Sequence, residues 1–107
     1  MSPDRRWHFA IDVDRLEDDV ATEVVLGGRR IAICRFENGF YAFDNICTHA
    51  YACLSDGFLD GKTVECPLHQ ARFDVTNGKA LSPPATRSLE CFEVSLREGQ
   101  LFVALPD

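Results

Sequence analysis

Two stretches decide the reading of this chain: Cys47-Thr48-His49-Ala50 and Cys66-Pro67-Leu68-His69-Gln70-Ala71-Arg72-Phe73-Asp74. Each offers one thiolate and one imidazole. Residues 50–65 separate them, enough chain for two loop tips to meet around one centre. A single Cys-x-His would carry little weight. Two such pairs, in a chain with only three histidines, single out Cys47, His49, Cys66 and His69 as one ligand set.

Two kinds of centre accept two thiolates and two imidazoles. A lone zinc ion takes them in a tetrahedral structural site. A [2Fe–2S] cluster takes them with both Cys on one iron and both His on the other. The order Cys-x-His…Cys-x-x-His puts one ligand of each kind on each loop, so each loop would reach both irons. Common zinc modules pair like residues instead, as Cys-x-x-Cys or His-x3-5-His.

The residues around the ligands resemble the two cluster loops of Rieske proteins. More narrowly, the chain resembles the small Rieske ferredoxins of bacterial ring-hydroxylating oxygenase systems, from about Trp7 to Leu105. The resemblance implies a soluble electron carrier and not an enzyme. It would pass single electrons from an NAD(P)H-dependent flavoprotein ferredoxin reductase to a terminal Rieske oxygenase acting on aromatic hydrocarbons. It also implies Cys47 and Cys66 on an inner iron, and His49 and His69 on an outer iron at an exposed tip. Pro83 and Pro84 resemble the proline loop that covers a third side of such a cluster. A small Rieske-type subunit of a nitrite reductase and a structural zinc module are the alternatives. A catalytic oxygenase subunit would need a second iron held by two further His and a carboxylate. Only His8 is left, and its alternating strand position reads as structural.

The rest of the sequence agrees with a small β protein. Its 107 residues suit one domain, 1–107. Trp7–Ile11, Thr22–Leu26, Arg29–Phe36, Phe40–Asp44, Phe58–Asp60, Thr63–Glu65, Arg72–Val75, Leu89–Arg97 and Gln100–Leu105 read as strands. Gly27-Gly28 and Asn38-Gly39 read as hairpin turns, the second because both residues tolerate positive φ. Asp12–Asp19 reads as an acidic surface loop pinned by Leu16. The fold expected is all-β: an antiparallel base carrying an inserted cluster-binding subdomain at about residues 44–82.

A net charge of −6 argues against a nucleic-acid binder, which would want a basic face. It suits attraction to a partner with a basic patch. No apolar run follows Arg5-Arg6 and no stretch is long enough to span a bilayer, so a cytoplasmic monomer is expected. Cys34, Cys53 and Cys91 remain outside the ligand set. They read as free thiols, Cys34 and Cys91 in the core and Cys53 packed beside the first loop.

High-potential Rieske proteins carry a Ser two residues after the last His ligand and a Tyr four residues after it. Both hydroxyls donate to cluster sulfurs. Ala71 and Phe73 stand there in this chain. The disulfide that braces the loops of those proteins falls on Ala52 and Leu68, so it is absent. The potential expected is at the low end of the Rieske range, about −150 mV. Ala71→Ser and Phe73→Tyr should each raise it, which redox titration of the cluster-loaded variants would show.

Overall fold

The computed structural model describes residues 5–48, 52–68, 70–82 and 87–106. Within them lie three antiparallel sheets, in keeping with the all-β expectation. The first runs β1 (Arg5–Asp12), β10 (Gln100–Pro106), β9 (Val94–Arg97). The second runs β2 (Thr22–Leu26), β3 (Arg29–Phe36), β4 (Gly39–Asp44), β8 (Cys91–Phe92). The third is small: β5 (Phe58–Asp60), β6 (Thr63–Glu65), β7 (Arg72–Asp74).

Strand β3 explains how the sheets are layered. Ile31, Ala32, Ile33 and Cys34 are buried without a break, as in a strand covered on both faces. Successive side chains point to opposite faces. Ile31 and Ile33 join Leu101, Val103 and Leu105 in one core, facing the first sheet. Ala32 and Cys34 join Phe43, Val64 and Phe73 in a second core, facing the third sheet. The second sheet is therefore the middle layer, and the third sheet and its loops lie on the side away from β1, β9 and β10. Each fully buried large apolar side chain contributes about 1.5–3 kcal/mol.

Several turns form as read. Gly27 and Gly28 take φ values of +58° and +81° between β2 and β3, the pattern of a two-residue hairpin matched to strand twist. Leu16 is buried beside the first core, just after a 3-10 turn at Val13–Arg15.

Three expectations change. Phe36 pairs with Gly39, so the β3–β4 turn is Glu37-Asn38, and the left-handed residue is Glu37 at +56°. A Cβ on Gly39 would stand 2.7 Å from the Tyr41 hydroxyl oxygen, so the end of that side chain would have to move. The strand expected over 89–97 divides at Glu93. Cys91 and Phe92 pair with β4 in the second sheet, while Val94–Arg97 pair with β10 in the first. The Glu93 carbonyl accepts the Ala104 N–H at 3.0 Å across the crossing. Alternation reads straight through such a crossing, because both halves keep a period of two. Cys91, expected in the core, is exposed; it lies on a two-residue edge strand. Cys34 is fully buried, and burial pushes its thiol up to about 12.

Phe43 is fully buried at the contact between the middle and third sheets. Phe43→Ala should destabilise the protein by about 3–5 kcal/mol, read as a lower urea midpoint.

Candidate metal centre

The first loop begins where β4 ends. The Asp44 carboxylate accepts the Ile46 N–H at 3.0 Å, a local turn that leads the chain out of the sheet. The Cys47 N–H then donates to the Ala52 carbonyl at 2.9 Å, closing a short loop. The second loop is built alike. It leaves β6, and the Cys66 N–H donates to the Ala71 carbonyl at 2.7 Å. In both loops the cysteine bonds to the carbonyl five positions on. The two loops are thus closed by the same cysteine-to-alanine hydrogen bond, over 47–52 and 66–71. Gln70 is left-handed, at φ +59°.

Of the four predicted ligands, Cys47 and Cys66 are placed; His49 and His69 lie outside the described residues, as do Pro83 and Pro84. The two cysteines come from different sheets and meet in the same core, both buried. Their sulfurs are within hydrogen-bonding reach of each other, yet both are free thiols. Burial pushes the Cys66 thiol up to about 11; the Leu68 N–H bonded to its sulfur works against that, and Cys47 adds to it. The buried Cys66 thiol thus holds its proton when alone, and a bound metal cation would deprotonate a coordinating thiol outright. The arrangement fits two thiolate ligands on one iron.

The loops touch at a point the sequence did not flag. Gly57 follows a 3-10 turn (Leu54–Asp56) that ends the first loop. A Cβ on it would stand 1.9 Å from the Glu65 carbonyl oxygen and 3.1 Å from Pro67 Cδ. Backbone therefore meets backbone there, directly before Cys66. Thr48 adds a tie, its hydroxyl donating to the Arg87 carbonyl at 3.0 Å, just past the proline segment. Ala71 and Phe73 are fully buried, and neither carries a hydroxyl. All five cysteines are free, and partly buried Cys53 pairs with Ile46 as an isolated bridge in the stem of the first loop.

Comparison with known proteins matches this arrangement. Residues 6–93 match the Rieske [2Fe-2S] domain model. The ferredoxin component of the naphthalene 1,2-dioxygenase/salicylate 5-hydroxylase systems of a Ralstonia species is 39% identical over 101 residues, covering 94% of this chain and 97% of that protein. A ferredoxin from Sphingomonas yanoikuyae superposes with a TM-score of 0.90 at 26% identity, covering 94% of this chain and all of that one. A structure of oxidised ferredoxin with reduced oxygenase in carbazole 1,9a-dioxygenase gives 0.85 at 36% identity, covering 92% of each chain. The chain belongs to the Rieske [2Fe–2S] family and stands among the ferredoxin components of dioxygenase systems. Its cofactor is one Rieske-type [2Fe–2S] cluster.

Gly57→Ala must force the two loops apart, since the new methyl meets backbone that has no room to yield. The variant should unfold about 1–3 kcal/mol more easily and bind less iron per chain, measured by urea titration and metal analysis.

Proposed function

We propose that Cys47 and Cys66 hold one iron of the cluster and His49 and His69 the other, in one Rieske domain spanning 1–107 with its cluster-binding part at about 44–82. The observation that carries this is the meeting of Cys47 and Cys66, buried side by side at the starts of two matching loops. When bound, the cluster supplies a one-electron couple.

The chain is an electron carrier, and its residues serve that role by exclusion and placement. Ala52 and Ala71 close the two loops with small side chains. Ala71, Phe73 and Leu54 are buried around the cysteines and keep water from the sulfurs. The Leu68 N–H donates to the Cys66 sulfur and stabilises its thiolate form. With no hydroxyl at positions 71 and 73, the sulfurs receive fewer hydrogen bonds, which favours a low potential. Leu68 and Leu81 are exposed, 46% and 47% respectively, on segments next to the second loop. They supply apolar contact for a partner that docks there.

The electron goes to a terminal ring-hydroxylating oxygenase and comes from a flavoprotein ferredoxin reductase. The carbazole system, where a ferredoxin of this fold sits on its oxygenase, supports the first half. We place the protein in the cytoplasm as a monomer; no helix among the described residues is long and apolar enough to cross a membrane.

The test is iron, zinc and acid-labile sulfide per chain, with an EPR spectrum after reduction of the same sample. Two irons, two sulfides and a Rieske-type signal are expected. One zinc and no sulfide in protein prepared without air would overturn the assignment.

A further inference from the structure

The two loops are anchored differently. The second grows out of a regular ladder, in which Glu65 pairs with Arg72 directly below Cys66. The first has no such ladder. Among the described residues, once β4 ends its returning arm belongs to none of the three sheets, and its backbone meets the outgoing arm at the isolated bridge of Ile46 with Cys53. Something else must hold its stem against the base.

Asn45 does so. It is fully buried, two residues before Cys47. Its N–H donates to the Arg30 carbonyl at 3.0 Å, and its carbonyl accepts the Leu54 N–H at 2.7 Å. Its Oδ1 accepts the Ser55 N–H at 2.8 Å. Its Nδ2 donates to Glu23 Oε2 at 2.8 Å and to Ser55 Oγ at 3.0 Å. Arg30 Nε donates to the same Glu23 oxygen at 2.6 Å. One residue, through backbone and side chain together, thereby joins β2, β3 and both arms of the first loop.

The chemistry at this point demands an amide. A backbone N–H faces one side of the group and a carboxylate oxygen the other, so one atom must accept and the other donate. A carboxylate would set oxygen against oxygen at Glu23. An apolar residue would leave the Ser55 N–H and the Glu23 carboxylate short of a partner. The Arg30–Glu23 pair is partly exposed, with side-chain exposures of 49% and 28%. As an ion pair it stabilises little, but it keeps the carboxylate aimed at Asn45.

We propose that Asn45 is a positioning residue for the metal centre: held by Glu23 and Arg30, it sets where Cys47 stands against Cys66. The proposal rests on the assignment of Cys47 as an iron ligand.

The test uses the cluster-loaded protein and three variants: Asn45→Asp, Glu23→Gln, and both together. The double variant exchanges the two groups. Gln at position 23 donates to the new carboxylate and still accepts from Arg30, and the total charge is that of the wild type. Two quantities are read: the rate of iron release to a chelator, and the EPR g-values of the reduced cluster. Asn45→Asp should release iron about tenfold faster or more, the scale of losing a hydrogen bond to a charged group, with shifted g-values. Glu23→Gln should lie between it and wild type. The double variant should return to within about twofold of wild type and recover the native g-values, which a merely destabilised loop would not do. Release from Asn45→Asp at the wild-type rate would overturn the proposal. So would a double variant no better than Asn45→Asp. Should Asn45→Asp fail to fold, a double variant releasing iron no more slowly than Glu23→Gln would overturn it equally. Wild-type protein without iron and sulfide would instead bring down the ligand assignment on which the proposal stands.

Discussion

Two sulfur atoms held side by side, away from water, are a costly arrangement for a folded chain. Ionising one in a dry core is opposed by burial, and ionising both is opposed by mutual repulsion. The position of Cys66 shows it: burial dominates the upward push on its thiol, and a single backbone N–H offsets only part. A metal cation resolves both difficulties at once. The rest of the molecule can be understood as what is needed to keep the two sulfurs there without one. The middle sheet gives a rigid floor, with Phe43, Ala32 and Cys34 packed under the cysteines. The third sheet brings the second loop to the same place from the opposite side.

Holding two loops in register from different sheets needs ties that ladders alone do not supply. Gly57 allows the closest approach, backbone on backbone. Asn45 joins the first loop to the middle sheet through a fully satisfied polar network. Buried polar groups of this kind are unfavourable if any partner is missing and specific when all are present. The centre is thus held by steric contact on one side and by directed hydrogen bonds on the other.

Much of this was legible in the sequence. The proposed ligand residues stand out by type and spacing, and of them Cys47 and Cys66 are found buried together; strand β3 stands out by its unbroken apolar run. Turns with two glycines follow from backbone sterics alone. What was hidden depends on neighbours distant in the chain. Residues 89–97 keep one alternating pattern while changing sheets, because a period of two carries no label for the partner strand. Asn45 reads as an ordinary loop residue until Glu23, twenty-two positions earlier, is seen beside it. Gly57 stands in no motif, and its φ of −94° is open to any residue; the constraint is the Glu65 carbonyl opposite. Cys91 reads as core because its position on a two-residue edge strand is a property of the assembled sheet.

The layering also separates charge. Asp18, Asp19 and Glu37 surround one shallow depression with Arg35 and Gly61, at the end of the middle sheet where β3 turns into β4. Asp12 lies at the same end of the first sheet as Glu98, since the Val13 N–H bonds to the Gly99 carbonyl. At the other end, where Asp44 leads into the first loop, stand two ion pairs: Arg29 with Glu90 and Arg30 with Glu23, each at 2.6 Å. Arg72 likewise faces Glu65 at 3.3 Å below the second loop. The molecule measures up to 36 Å, several times the screening distance of about 8 Å at physiological ionic strength. Three carboxylates against one guanidinium leave the depression locally acidic. Strand β3 runs from one of these ends to the other, about 20 Å at about 3.3 Å per residue, so a partner that met the cysteine loops would face the ion pairs there and not the acidic depression.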